Sequence, residues 1–157
     1  MTLFSVISLI KIEVGGERLN IASLTLIICN VIAKLFVPEF FEHLKARTDF
    51  LAFNMMPVLI VELIIAALGE EIAWRAFFQK QMSKIVPFMP SLIIASALFS
   101  ICHFNQGSAI VVIYDLVFIF INAIFYGIIF KKTDNAFIST IAHFLANLFG
   151  VVSIMFL

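Results

Sequence analysis

Five runs of about 20 apolar residues each dominate the chain, and that is the length an α-helix needs to cross the hydrocarbon of a bilayer. They cover residues 19–37, 53–79, 87–104, 109–130 and 136–157. Polar connections punctuate them, at 38–49, 80–86, 105–108 and 131–135. Composition agrees with a membrane location. Of the 157 residues, 63% are hydrophobic and 13% charged, with 19 phenylalanines, against roughly 45–50% and 25% in a soluble domain. The expected fold is therefore all-α, a polytopic transmembrane helical bundle of about five spans. Residues 1–52 read as an N-terminal segment with the first transmembrane helix, and 53–157 as the main membrane domain. Residues 3–12 hold an apolar stretch too short to span, without the flanks of a secretory signal.

The formal net charge is zero, so no nucleic-acid partner is expected; the expected partner is the lipid bilayer. Cys29 and Cys102 lie within apolar runs and show neither metal nor redox spacing, so no disulfide is inferred. Lysine and arginine in the loops set the orientation. Lys11, Arg18, Lys80, Lys84, Lys131 and Lys132 fall on one side, and Lys34, Lys45 and Arg47 on the other. Six against three favours a cytoplasmic N-terminus in a cell membrane.

Against this apolar background the second run carries Glu70, Glu71 and Arg75. Ionisable groups inside a membrane span are costly and mark function by default. Glu71 and Arg75 stand at i and i+4 with the acid first, the favourable order for an ion pair on one helix face. Glu70 is turned away by about 100° and is left as the free carboxylate. His103 ends the third run and follows Phe99 by four residues; His143 precedes Asn147 by four on the fifth. At ~1.5 Å rise per residue, Glu70, His103 and His143 all lie roughly 15–20 Å from the lysine-bearing side. Three separate spans thus place ionisable groups at one depth.

A glutamate, a nearby histidine and a His143/Asn147 donor pair suit amide hydrolysis, the base activating water and the donors stabilising the oxyanion. The same Glu70, His103 and His143 could instead hold a divalent metal such as zinc with a position open for water; the residues alone leave metal and metal-free chemistry both open. A His-Glu-x-x-His helix is absent, and so is a Gly-x-Ser-x-Gly elbow. Ser96 and Ser100 share a span with His103, but a serine mechanism leaves the glutamate pair idle.

Three segments carry a resemblance: Glu70-Glu71-Ile-Ala-Trp-Arg75, Phe99-Ser-Ile-Cys-His103 and His143-Phe-Leu-Ala-Asn147. In this order they resemble the three motifs of the CPBP intramembrane proteases, which include CAAX prenyl endopeptidases and bacterial bacteriocin self-immunity proteins. The resemblance covers about residues 55–157. It implies a catalytic role for Glu70 and His103, a site completed by His143 and Asn147, and an active-site cavity among the helices, open to the cytoplasmic side. It implies a peptide or protein substrate, prenylated or not. The shortness of the chain favours the small bacterial immunity type.

Other readings compete. Glu70, Glu71 and Arg75 could be a structural ion-pair cluster, and Asn147 could join helices. A non-catalytic immunity or scaffold protein would retain the same fold. A proton path through Glu62, Glu70, Glu71 and Asp115 lacks the inverted repeat or broken helices of transporters. Glu62 is expected to line the cavity or pair with Lys34. Asp115 and Asn122 have no assigned place.

Overall fold

The computed structural model describes residues 28–42 and 56–156, and every regular element over them is helical. Residues 28–36 form α1 and 38–42 a short α2. Met56–Glu71 is α3, Phe88–Cys102 α4, Ala109–Thr133 α5 and Ala136–Phe156 α6. α3 does not stop at Glu71. Its hydrogen bonding widens to π-helical over Ile72–Gln79, and Lys80–Met82 add a last α turn. Helix is what a run buried in hydrocarbon must form, because each backbone N–H and C=O finds its partner within the segment. Pro57 and Pro90 sit in first turns, where the missing N–H is an orphan in any case.

The boundaries have local causes. α4 ends at Cys102, two residues before the expected limit, because the His103 N–H turns back to Ser100 O at 2.9 Å. α5 closes at Asp134, which takes a left-handed φ of 44°; aspartate is among the few side chains that tolerate that region. Lys131 and Lys132 occupy the last turn of α5, where cations offset the negative helix end. Asn135 Oδ1 then accepts from the Phe137 N–H at 2.9 Å and caps α6.

Among the described residues, two helices are long and apolar enough to cross a membrane, Ala109–Thr133 and Ala136–Ile154. Phe88–Cys102 is apolar but shorter. The short connections 83–87, 103–108 and 134–135 make sequential helices antiparallel neighbours. α3 packs on α6, α4 on α5, and α5 on α6. Their seams are built from small residues, with Ala67, Ala95, Ala123, Ala146, Ser91, Ser96 and Ser139 fully enclosed. That is how helices approach when lipid removes the hydrophobic drive between them. Large apolar side chains point outward instead, among them Val61, Ile65, Ile93, Ile113 and Val117.

α1 and α2 join this bundle. Cys29, Ala33, Phe40 and Phe41 pack with Val111, Tyr114 and Phe118 of α5. Asn30 donates to Gly150 O on α6 at 3.1 Å, and Tyr114 Oη donates to Cys29 O at 2.7 Å. Part of the expected first span, and the loop carrying Lys45 and Arg47, lie outside the described residues.

Candidate active site

Glu71 and Arg75 are both fully buried, and Arg75 Nε lies 3.5 Å from Glu71 Oε2. The pair expected from the i, i+4 spacing is present, although Arg75 already belongs to the π-helical stretch. The guanidinium also lies over the Phe99 ring, 5.2 Å from its centroid, an attraction that strengthens on desolvation. Glu71 has a second partner that the spacing did not indicate. His143 Nδ1 stands 3.1 Å from Glu71 Oε1. A carboxylate held by arginine accepts, so the imidazole donates through Nδ1.

His103 is oriented in a parallel way. Its Nδ1 lies 2.8 Å from Phe99 O, and a carbonyl can only accept. His103 caps α4 while its ring is fixed in the tautomer that donates through Nδ1. The Phe99 ring packs against the imidazole, with centroids 4.4 Å apart. Both histidines thus direct Nε2 at the same carboxylate. His103 Nε2 is 3.7 Å from Glu70 Oε1, and His143 Nε2 is 3.7 Å from Glu70 Oε2. Glu70, His103 and His143, contributed by α3, the end of α4 and α6, come together as the sequence leads one to expect.

Tyr126 on α5 was not foreseen. Its ring stacks on His143, with centroids 4.4 Å apart and planes 17° from parallel. A signal existed: Tyr126 is one of only two tyrosines in a chain whose aromatic positions are mostly phenylalanine. Trp74 packs edge-on against Phe78 and Phe99.

A cavity of about 540 Å³ adjoins the cluster, and Glu70, His103, His143 and Asn147 are on its wall. Asn147 therefore shares the space with His143, as its spacing suggests. Glu62, Asp115 and Asn122 line the same cavity. Glu62 carries no ion pair with Lys34; that ammonium lies 5.9 Å from the centroid of the Phe41 ring. The cavity runs from Leu59 to Glu70 along α3, by Phe99 and His103 at the end of α4, from Asp115 to Tyr126 along α5 and from His143 to Ile154 along α6. It therefore occupies the end of the bundle away from Lys80, Lys84, Lys131 and Lys132. Among the described residues, no set of three His, Cys, Asp or Glu side chains has the arrangement to hold a metal ion, the Glu70, His103 and His143 set included.

The family described as Type II CAAX prenyl endopeptidase Rce1-like matches residues 52–149, a stretch that contains all three motif segments. No curated protein and no solved structure matched the chain.

Proposed function

The chain belongs to the Type II CAAX prenyl endopeptidase Rce1-like family, a protease family, and from that premise we propose that it is an intramembrane endopeptidase whose Glu70 activates water. The observation that carries this is the convergence of two imidazole Nε2 atoms on the two oxygens of one carboxylate, at 3.7 Å each. With both Nδ1 atoms committed as donors, Nε2 of a neutral imidazole is an acceptor. Acceptors that face one another at this distance are satisfied by a shared donor, and water is the smallest one available. A water held there is adjacent to its base.

The cluster's charge supports the same chemistry. Two carboxylates and one guanidinium leave a single negative charge when both imidazoles are neutral. One further proton, shared among Glu70, His103 and His143, brings the sum to zero, the favoured state where charge is poorly solvated. In the reaction Glu70 takes a proton from water as the water oxygen attacks the peptide carbonyl carbon. The Asn147 amide and a protonated imidazole face the oxyanion. The proton then passes to the amide nitrogen as the C–N bond breaks, leaving a carboxylic acid and an amine. Glu71 and Arg75 act behind this set: they hold the His143 ring in place and touch no substrate.

On this reading the membrane body comprises the first apolar run of the sequence, the continuous 56–82 rod, and α4, α5 and α6, about five spans in all, with the cavity among them as the reaction chamber. The test uses full-length protein in proteoliposomes and internally quenched peptides, each with and without a farnesylated C-terminal cysteine. Wild type is expected to hydrolyse members of the panel and Glu70→Gln to hydrolyse them about 10²–10⁴-fold more slowly. Undiminished hydrolysis by Glu70→Gln would overturn the mechanism. The farnesylated and plain series together report whether the prenyl group is required.

A further inference from the structure

Tyr126 takes no part in the proton transfers above, yet it is 2% exposed and lies on the cavity wall beside Glu70 and His143. The two histidines are held differently. His103 takes both its supports from Phe99, one turn back in the chain: the carbonyl oxygen at 2.8 Å, and the ring with centroids 4.4 Å apart. His143 takes its supports from other helices. Glu71 of α3 accepts from Nδ1 at 3.1 Å. The Tyr126 ring of α5 faces the imidazole with centroids 4.4 Å apart and planes 17° from parallel. One hydrogen bond does not fix a ring plane. The torsion about the Cβ–Cγ bond of histidine is broad, and a turn about it swings Nε2 away from Glu70 Oε2, which is 3.7 Å distant. A flat face laid against the imidazole blocks that turn, because the imidazole edge would strike the phenol ring. The phenol ring is itself enclosed, packed with Ile129, Ala142 and Ala146. The two alanines flank His143 in the chain, and small residues there let α5 approach α6 closely enough for the rings to meet.

We infer that Tyr126 is a positioning residue, whose ring holds the His143 imidazole in the plane that directs Nε2 at Glu70. The inference rests on the peptidase reading for its consequence in hydrolysis, and on the packing alone for the placement of the ring. The aromatic face acts here, not the hydroxyl. Phenylalanine at this position keeps the face. Leucine or methionine fills much of the same space but has no flat surface, and so leaves the His143 torsion free to spread. A reacting group displaced by about 1 Å loses about 10²-fold in rate. Because Tyr126 works through His143, that loss falls on turnover and spares substrate binding.

The test reads the imidazole by magnetic resonance and its effect on turnover by kinetics, with the full chain in lipid nanodiscs. The chain has three histidines, so isotope-labelled histidine gives few signals, and His143→Ala identifies those of His143. In wild type and in Tyr126→Phe the His143 Nδ1–H proton, held by Glu71, is expected as one sharp low-field resonance. In Tyr126→Leu it is expected to broaden or vanish by exchange as the ring turns. Tyr126→Met, with an unbranched and adaptable side chain, is expected to behave as Tyr126→Leu does and replaces it should that variant fail to fold. An unchanged resonance in Tyr126→Leu and Tyr126→Met would overturn the inference. Its loss in Tyr126→Phe would overturn it too, by assigning the effect to the hydroxyl. With a quenched peptide that wild type cleaves, Tyr126→Phe is expected to keep kcat within about twofold, and Tyr126→Leu to lose about 10–10²-fold in kcat at nearly constant KM. A loss confined to KM would show Tyr126 to be a substrate contact and not a positioning residue. The expected resonances without hydrolysis by wild type support the placement of His143 by Tyr126 and count against the peptidase reading alone.

Discussion

Glu70 and Glu71 are adjacent in the chain, yet their surroundings divide the work. Glu71 is enclosed completely and answers to Arg75 and His143. Glu70 is partly exposed at the cavity and faces two Nε2 atoms. Neutralising each should therefore have a different consequence. Glu70→Gln keeps shape and volume, and loss of a general base lowers hydrolysis by about 10²–10⁴-fold, with the melting temperature in detergent little changed. Glu71→Ala leaves the Arg75 guanidinium buried without its anion, which costs about 3–5 kcal/mol. That variant is expected to lose its monodisperse peak in size exclusion and to melt at a lower temperature. Equal thermal loss in the two variants would show that both carboxylates are structural.

At the scale of the element, the π-helical stretch Ile72–Gln79 shapes the site. Ala67, Glu71, Arg75 and Gln79 recur every four residues and are all buried, the first step α-helical and the next two π-helical. An α-helix advances such a stripe by about 40° per step, whereas a π-helix, with its wider turn, lets it fall back. The change in winding keeps the stripe facing the bundle. At its end Gln79 Nε2 donates to Gly127 O on α5 at 3.0 Å. A Cβ on Gly127 would stand 2.3 Å from Leu92 Cδ1 and 2.6 Å from Gln79 Oε1. Gly127→Ala is therefore expected to destabilise by about 1–3 kcal/mol, the usual range for overpacking. Leu92→Ala in the same chain is expected to recover part of that loss, so that the double variant is less unstable than the sum of the singles. Strict additivity in thermal melts would refute the proposed close approach. The sequence made much of this region legible, since the i, i+4 spacing of Glu71 and Arg75 announces their pairing whichever way the helix winds next. The π stretch itself left no mark, because winding is set by what the helix packs against and not by the residues of one run. The contact of His143 with Glu71 was hidden for a related reason: matching depth brings side chains to one level but does not choose which of two adjacent carboxylates an imidazole meets. Asn122 was visible as a polar residue in an apolar span, yet its place depended on the rotation of α5, which the weakly amphipathic sequence does not encode.

For the molecule as a whole, two expectations from the sequence pull in opposite directions. The lysine asymmetry directs the 80–86 and 131–135 loops to the cytoplasm, and the motif resemblance implies a cavity open on that same side. The cavity instead extends from Glu70 and Tyr126 toward Asn105, Asp115 and Ile154, the end opposite Lys84 and Lys132. One of the two expectations must yield. The positive-inside rule acts through short loops, and the connections here are only a few residues long. Four lysines crowd those two loops, whereas no lysine or arginine lies between Cys102 and Phe130. We therefore expect the lysine end to be cytoplasmic and the cavity to face the opposite compartment, so that substrate enters from outside the cell or from the outer leaflet. Single cysteines decide this in a background with Cys29→Ser and Cys102→Ser, which removes one buried and one exposed thiol. A membrane-impermeant maleimide is expected to label Gln106→Cys in intact cells and to label Lys84→Cys and Lys132→Cys only after permeabilisation. The reverse pattern would put the cavity in the cytoplasm and overrule the lysine asymmetry. The result also constrains the substrate, because a chamber facing outward receives peptides that arrive at the cell and one facing inward receives the tails of proteins made within it.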